Sequence, residues 1–194
     1  MISMDFDKLV YKRRTIRRFK QKKVPVELLK KLVDYGRVAP AGNNKQAISY
    51  IIVTAEEVRE KIFAHVRWAA SLPKDMRTPE DRRRPMAYIV VLLDTSIKKN
   101  ADCDVGAAVE NILLGITDND LGACWMGAID RKKIKKILDV PKKFDITHVV
   151  SIGYPDEESQ MEPLDESFKY WKDDEGNMHV PKRSLDDVLF NVIE

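Results

Sequence analysis

Hydrophobic and polar residues along the chain predict four strands separated by segments of helical periodicity. A strand that is buried on both faces of a sheet has a nearly continuous apolar, β-branched sequence, and residues 87–94 form the clearest such run. The other predicted strands are 48–54, 124–129 and 146–153. Strands that alternate with helices predict an α/β or α+β sheet with helices on its faces.

Apolar residues at helical spacing predict the helices, and capping residues mark their ends. Pro25 suits a first helical turn, and the helix after it ends before Pro40, because the residue preceding a proline avoids the α conformation. A long helix over 102–120 is predicted to end at Leu121-Gly122, where glycine supplies a positive φ. The remaining predicted helices run from Asp5 or Asp7 through Tyr11, from Thr54 or Ala55 to about Val66, from the cap Asp130 through Leu138, and from Leu185 to Val192 after the cap Ser184.

Residues 71–86 interrupt this alternation. They contain Pro73, Pro79 and Pro85 together with many charged residues, which predicts a loop. The charged run is typical of a solvated surface. The alternative interpretation is a mobile lid over a ligand site.

The composition is that of a soluble globular protein. With 194 residues, 44% hydrophobic and 34% charged, the chain is predicted to form one domain over 1–194. Its net charge of +3 does not indicate a nucleic-acid binder. Cys103 and Cys124 have neither metal-ligand spacing nor a disulfide framework, which favours the reducing cytoplasm. The sequence shows no signal-peptide pattern and no apolar run near the ~18–20 residues that span a membrane.

Hydrolytic and nucleotide-binding motifs are absent from the sequence. It contains no Gly-x-Ser-x-Gly, His-Glu-x-x-His, Gly-x-Gly-x-x-Gly or P-loop pattern. His65, His148 and His179 are scattered, and His148 is predicted to be a hydrogen-bonded core residue because it lies in an apolar strand. A chain without an acid–base or nucleophile constellation favours chemistry that a bound cofactor performs.

Two polar segments are candidates for binding such a cofactor. Residues 13–19 place four arginines and the Thr15 hydroxyl next to one another, and the planar guanidinium group matches a phosphate. Residues 39–46 gather amide side chains on a loop that contains Gly42. Taken singly, the first segment is also typical of a solvated basic turn. The second is equally typical of a turn stabilised by Asn43 and Asn44.

Together with three later blocks, these segments resemble the nitroreductase-like flavoprotein family. The later blocks are 104–111, 122–127 and 152–155, in the order that the family shows. The resemblance implies an α+β fold with a mixed central sheet flanked by helices, in an entwined homodimer. It also implies bound FMN, NADH or NADPH as the electron donor, and a small electron-poor acceptor such as a nitroaromatic or a quinone. The reaction would follow a ping-pong cycle, with no catalytic side chain.

The resemblance also assigns FMN-binding roles to particular residues. The phosphate and ribityl end falls to Arg13, Arg14, Thr15 and Arg17, and the basic pair Lys182 and Arg183 returns to the phosphate. A loop contacts the flavin held mainly by the other subunit: Pro40, Ala41, Gly42, Asn43, Asn44 and Gln46. The segment beside the isoalloxazine is Trp125, Met126, Gly127 and Ala128, with a backbone N–H directed at flavin N5.

This sequence departs from the family pattern at a few positions, and other residues receive structural roles. Thr15 and Ala41 replace serines, and Ala47-Ile48 replaces Pro-Trp. Arg18 is expected to point away from the phosphate. Asp104 and Asn111 lie two helical turns apart, and we expect them to be interface or structural residues.

Two other functions fit the same sequence. One is a specialised flavoenzyme of the same fold, of the dehalogenase or flavin-destructase type, whose specificity would lie in residues 71–86. The other is a non-catalytic polyanion binder that uses Arg13–Lys23. The scarcity of aromatic residues around that patch weakens the second interpretation, since only Tyr11 and Phe19 lie nearby.

Overall fold

A central antiparallel sheet of five strands organises the molecule. The computed structural model describes residues 5–194. The central strands are β1 (Phe19–Lys20), β2 (Ile48–Val53), β3 (Ala87–Asp94), β4 (Gly122–Met126) and β5 (Phe144–Pro155). β3 lies along one edge of β5. β4 and β1 both pair with the other edge of β5, β4 beside residues 149–153 and β1 beside residues 154–155. β2 pairs with the edge of β3 that faces away from β5.

Helices cover both faces of this sheet. They are α1 (Phe6–Lys12), α2 (Val26–Arg37), α3 (Glu56–Phe63), α4 (Lys74–Arg77), α5 (Asp102–Asp118), α6 (Arg131–Ile137) and α7 (Leu185–Val188), with 3₁₀ turns at Gly42–Asn44 and Asp81–Arg83. A second sheet follows β5 and contains β6 (Ser159–Pro163), β8 (Met178–Lys182) and β7 (Trp171–Lys172), in that order. No helix within residues 5–194 has both the length and the apolar character needed to cross a membrane.

The core has one layer on each face of β3, because successive side chains of a strand point to opposite faces. All eight residues of β3 are buried. Tyr88 and Val90 pack with the α3 and α6 side of the sheet, whereas Ile89 and Val91 pack with the α2 and α5 side. The predicted run of buried residues at 87–94 is therefore confirmed.

The α+β class is confirmed, but the expected mixed central sheet is not. Every ladder between β1, β2, β3, β4 and β5 is antiparallel. Within residues 5–194, parallel pairing is confined to an isolated bridge between Thr15 and Ala123 and to the β6–β8 pair of the second sheet.

Several predicted boundaries are wrong, each for a tertiary reason. The helix predicted to reach Val66 ends at Phe63, because Val66 forms an antiparallel bridge with Ile129. The strand predicted over 124–129 occupies Gly122–Met126, and the one predicted over 146–153 extends to Phe144–Pro155. The last helix stops at Val188.

Gly122 does not supply the positive φ that ends α5. That conformation belongs to Asp120, with φ 54°. Gly122 is the first residue of β4, and a Cβ there would lie 2.7 Å from the Cβ of Ile16. Glycine is therefore required for the close approach of residues 13–17 to β4.

Three predicted N-terminal caps are confirmed. The Asp5 side chain accepts a hydrogen bond from the Asp7 N–H at 3.0 Å. The Asp130 side chain accepts a hydrogen bond from the Lys133 N–H at 3.0 Å. The Ser184 hydroxyl accepts one from the Asp187 N–H at 3.1 Å, as part of a capping box.

Residues 71–86 are more ordered than a plain loop, since they contain α4 and one 3₁₀ turn. Arg18 connects this segment to β1 and its flanking residues. Its guanidinium group donates to both Glu80 carboxylate oxygens at 3.0 and 3.2 Å and to the Met76 carbonyl at 3.0 Å. Arg83 adds an ion pair of 2.7 Å to Asp156. Some charged residues of this segment thus form ion pairs with residues outside it, Arg18 and Asp156.

Candidate functional site

The arginine segment lies along β4. Thr15 forms its parallel bridge with Ala123, and the Ile16 N–H donates to the Ala123 carbonyl at 2.8 Å. β4 continues to Met126, and Gly127 and Ala128 follow directly. Ala123 and Gly127 are four residues apart, or about 13 Å along an extended chain. The two groups of residues that the resemblance assigns to the two ends of FMN therefore follow one strand.

Arg13 and Arg14 already contact protein groups. Arg13 Nε lies 3.3 Å from Glu110 Oε1, in a partly exposed ion pair. Arg14 donates to the carbonyls of Val10 and Tyr11 at 3.3 and 2.9 Å, so it satisfies the last turn of α1. Partial burial, with Arg13 alongside, lowers the pKa of Arg14.

Arg17 lies against an aromatic ring. Its guanidinium carbon is 4.7 Å from the centre of the Tyr170 ring, a cation–π distance. The Tyr170 hydroxyl in turn accepts from the Ser71 N–H at 3.4 Å. The ring fixes the plane of the guanidinium group without using its hydrogen-bond donors.

Unpartnered donors in this segment indicate that a ligand completes it. The Nε atoms of Arg14 and Arg17 are buried and have no hydrogen-bond partner. Buried polar atoms in native proteins are nearly always paired. An anion at this place would supply acceptors for guanidinium groups, and the residues present therefore fit a phosphate.

The Glu157 carboxylate binds the backbone of the arginine segment, and no sequence pattern predicted this role. Its Oε1 accepts from the backbone N–H groups of Arg17 and Arg18 at 2.6 and 3.2 Å. Its Oε2 lies 3.5 Å from Arg18 and 3.0 Å from Lys172. Arg18 therefore points away from the other arginines, as expected. The acidic run at 156–158 was the available signal, but it gave no indication of this partner.

Gly127 and Ala128 form an exposed end to β4, whereas Met126 is buried. A Cβ on Gly127 would lie 3.3 Å from the His148 ring, and Trp125 packs edge-on against the same ring with centroids 5.2 Å apart. The Gly127 and Ala128 carbonyls accept from Ile129 and Arg67, but their own N–H groups are not donors in any backbone hydrogen bond found within residues 5–194.

His148 is not the hydrogen-bonded core residue that its apolar strand suggested. It is half-buried, and its Nδ1 is buried without a partner. Burial, together with the nearby charge of Arg131, lowers the pKa of His148, so the imidazole is neutral at pH 7. The prediction is wrong because β4 ends at Met126 and leaves this stretch of β5 beside a cleft.

The loop at 39–46 is shaped by backbone conformation. Asn43, Asn44 and Gln46 all have positive φ, at 53°, 53° and 49°. The Gly42 N–H donates to Asp104 Oδ1 at 3.1 Å, and Asp104 also pairs with Lys98 at 2.8 Å. Asp104 therefore has the structural role that we expected.

Asn111 is structural as well, since its side chain donates to the Tyr35 carbonyl at 3.1 Å. The same part of the chain contains a small cleft of about 110 Å³, lined in part by Pro40, Ala41 and Gln46.

The structure does not bring this loop to the arginine segment within one chain. The loop leads into β2, and β3 and β5 separate β2 from β4. Three strand spacings amount to about 14 Å. Lys182 and Arg183 are also not joined to the segment by any described contact. Lys182 ends β8, and the Arg183 guanidinium donates to the Asp187 carbonyl.

Comparison with known proteins identifies the family. Residues 10–154 match the family model described as the nitroreductase family. The chain belongs to the nitroreductase family, and the general class of oxidoreductase follows from this membership.

Three relatives show the range of the similarity. An Archaeoglobus fulgidus protein with the provisional name NADH dehydrogenase/NAD(P)H nitroreductase is 29% identical, over 83% of this chain and 91% of its own. A Thermotoga neapolitana protein named iodotyrosine deiodinase is 25% identical, over 81% and 92%. The solved structure of an FMN-dependent nitroreductase from Clostridium difficile R20291 has a TM-score of 0.62 and 26% identity, over 78% and 88%.

Proposed function

We propose that this protein is an FMN-dependent oxidoreductase that takes electrons from NADH or NADPH and passes them to an electron-poor small molecule such as a nitroaromatic or a quinone. The observation that carries the proposal is the bridge between Thr15 and Ala123, because it aligns the arginine segment with the strand that ends at Gly127. Bound FMN supplies the hydride and electron transfer chemistry. The protein contributes binding, orientation and electrostatics.

In this proposal Arg13, Thr15 and Arg17 bind the phosphate. The buried, unpartnered Nε of Arg17 and its stacking on Tyr170 support that role. Arg14 contributes mainly its positive charge, since one terminal nitrogen of its guanidinium group already donates to the carbonyls of Val10 and Tyr11 in α1. Lys182 and Arg183 join the phosphate only if residues near α7 rearrange when the cofactor binds.

At the other end of the strand, Gly127 and Ala128 present backbone N–H groups to the ring. Their exposure leaves room for a planar group, and glycine allows the close approach. A fixed N–H dipole next to a flavin stabilises negative charge on the reduced ring. Trp125 and Met126 are residues of β4 and contribute by holding this strand in place. The Met126 side chain is buried in the core.

We also propose that two copies of the chain share each site. The separation of the 39–46 loop from β4 supports this arrangement, because the loop of a second copy has no such constraint. Apolar side chains exposed on this chain support it too, namely Phe6 and Tyr11 of α1 and, near α7, Leu185, Val188, Leu189, Phe190, Val192 and Ile193. Light scattering should give about twice the 22.4 kDa chain mass, and a monomer that binds FMN tightly would contradict the shared site.

Titration of FMN into cofactor-free protein tests the phosphate assignment. Arg17→Ala should weaken FMN binding by roughly tenfold or more, since it removes a charge-assisted hydrogen bond. Arg82→Ala is the matched control, because Arg82 is exposed and has no ion pair within residues 5–194. Unchanged affinity in both Arg13→Ala and Arg17→Ala would remove the assignment. Anaerobic stopped-flow reduction with NADH and with NADPH then identifies the donor.

Reductive dehalogenation is the second candidate function. The similarity to a protein named iodotyrosine deiodinase, over 81% of this chain, favours it. Release of halide from a halogenated phenol by the reduced protein, compared with reduction of a nitroaromatic, would distinguish the two acceptors.

A further inference from the structure

A short antiparallel bridge places a positively charged residue beside the exposed end of β4. Val66 pairs with Ile129, the Arg67 N–H donates to the Ala128 carbonyl at 3.0 Å, and the Asp130 N–H donates to the His65 carbonyl at 2.8 Å. In this register Arg67 lies opposite Ala128. Val66 is buried in the core, so by alternation the Arg67 side chain lies on the solvent face.

Two adjoining clefts are open at this place. One, of about 570 Å³, is lined by Arg67, Gly127, Ala128 and Arg131 among others. The other, of about 580 Å³, is lined by Arg131, Lys132 and His148 among others. Arg131 lines both clefts, and Arg67 and Lys132 line one cleft each. We refer to these three positively charged residues beside the end of β4 as the rim.

The charges on this rim are unevenly compensated. Arg67 and Lys132 have no hydrogen-bond or ion-pair partner for their side chains within residues 5–194. Of the carboxylates in the clefts, Asp130 caps α6 and Asp145 pairs with Lys135 at 3.4 Å. Asp130 keeps its charge as a cap, so the four cations Arg67, Arg131, Lys132 and Lys135 face the three carboxylates Asp102, Asp130 and Asp145, and the two clefts together are net positive.

Arg131 has a structural task in addition to its charge. Its guanidinium donates to the carbonyls of Ile146 and Thr147 at 3.1 and 2.8 Å, where β5 has a register shift opposite Val91. Arg67 has no such task, because its contacts within the described part of the chain are made by its backbone N–H and not by its guanidinium group. A substitution of the Arg67 side chain therefore tests ligand binding without removing a structural contact.

We infer that Arg67, with Lys132 and Arg131, binds an anionic group on the aromatic ligand that exchanges electrons at this site. The inference rests on the proposed function, because it places the flavin ring at Gly127 and Ala128. The anion is either the carboxylate of an acceptor or the phosphate groups of the nicotinamide donor. Both are recognised by the planar donors of a guanidinium group.

Binding of 4-nitrobenzoate and of its neutral analogue 4-nitrobenzamide tests the inference. Both are titrated into the FMN-loaded protein, and the change in flavin absorbance is followed. Arg67→Ala should weaken nitrobenzoate binding about tenfold and leave nitrobenzamide binding within about twofold. Arg82→Ala is the control for a lost surface charge. Equal effects of Arg67→Ala on both compounds would overturn the anion site, as would no effect on either compound together with unchanged reduction by NADH.

The two sources of the anion are separated by the half-reactions. In anaerobic stopped-flow experiments, Arg67→Ala lowers the second-order rate constant either for reduction by NADH or for reoxidation by 4-nitrobenzoate. The first result assigns the rim to the donor and the second to the acceptor. If neither rate constant changes, the inference is wrong.

Failure of the proposed function would give a different pattern. In that case the protein takes up no FMN, and calorimetric titration of 4-nitrobenzoate into the cofactor-free protein still decides the anion site. Binding that Arg67→Ala removes supports the site. Absent binding, or binding that survives the substitution, overturns it.

Discussion

The carboxylate of Glu157 accepts a 2.6 Å hydrogen bond from the backbone N–H of Arg17, a residue 140 positions earlier in the chain. The Glu157 side chain is only 1% exposed, and its charge is balanced by the buried side chains of Arg18 and Lys172. The backbone that carries the candidate phosphate ligands is thus fixed by a buried ion network. Their geometry therefore depends on a residue that is not itself a candidate phosphate ligand.

Removing Glu157 should be strongly destabilising. Glu157→Ala leaves the buried Lys172 ammonium without its carboxylate and takes one of two carboxylates from the buried Arg18, which keeps Glu80. We therefore expect the free energy of unfolding to fall by about 3–5 kcal/mol. Urea denaturation measures the change. Glu158→Ala is the control, because the neighbouring side chain is exposed and should cost less than about 0.5 kcal/mol. Equal losses in the two variants would show that the network contributes no net stability.

Gly122 should tolerate no side chain, because Ile16 lies against it. Gly122→Ala places a methyl group 2.7–2.9 Å from three Ile16 atoms, which should displace residues 13–17. We expect a loss of about 1–3 kcal/mol in stability and weaker FMN binding. In the control Gly106→Ala, the added Cβ meets nothing within 4 Å, and the helix should gain about 0.5–1 kcal/mol. Normal FMN affinity in Gly122→Ala would contradict the link between β4 and the arginine segment.

The second sheet contains a titratable cluster around His179. Its Nδ1 lies 2.9 Å from Glu162, its Nε2 lies 3.2 Å from Asp173, and its ring stacks on Trp171 with centroids 4.0 Å apart. Hydrogen bonds that His179 donates to the carboxylates of Asp173 and then Glu162 raise the pKa of His179. Burial alone would raise the pKa of Asp173, but hydrogen bonds from Asn177 and His179 lower it to about 2.

These shifts predict a pH-dependent stability. The raised histidine pKa contributes stability that is complete below the unfolded value of about 6.5 and is lost as the pH rises through the folded value. The lowered carboxylate pKa contributes stability above about 4 and loses it as the pH falls. His179→Gln should therefore cost more stability at pH 5.5 than at pH 8.5, as measured by thermal melting. His65→Gln serves as the control, and an equal cost at both pH values would rule out a charged His179.

Gly127 can be tested together with His148. Gly127→Val adds a side chain 3.3 Å from the His148 ring, and the half-exposed ring can move, so we expect a loss of only about 1 kcal/mol. Adding His148→Ala should restore the stability but not the FMN affinity, because the valine still blocks the ring of the cofactor. Melting of the cofactor-free protein and FMN titration of the single and double variants measure both effects. Restored FMN binding in the double variant would show that β4 does not face the flavin.

Sequence patterns predicted the elements whose signal is local. β3 is an apolar run from Ala87 to Leu93, and Asp130 and Ser184 cap helices within three residues of themselves, so no distant contact is needed to define them. The second sheet was missed because β6, β7 and β8 are short and contain polar and charged residues. Their pairing depends on anchors such as Met178, which is fully buried.

The candidate site was predictable only as far as its motifs are continuous in sequence. Residues 13–17 and 125–128 were identified, and the structure places them along one strand. The network of Glu157 was not predictable, since it joins residues up to 140 positions apart. His148 was assigned wrongly because strand periodicity does not show where a neighbouring strand ends.

The position of β5 in the sheet has a consequence for biosynthesis. β3 is complete about 50 residues before β5 begins at Phe144, and β5 is the strand that covers its second edge. At roughly 5–20 residues per second, a ribosome needs about 3–10 seconds for that interval. During this time the most apolar strand of the nascent chain can pair only with β2, and its open edge is exposed to other chains. The yield of newly made protein should therefore depend on chaperones that shield this edge until β5 arrives.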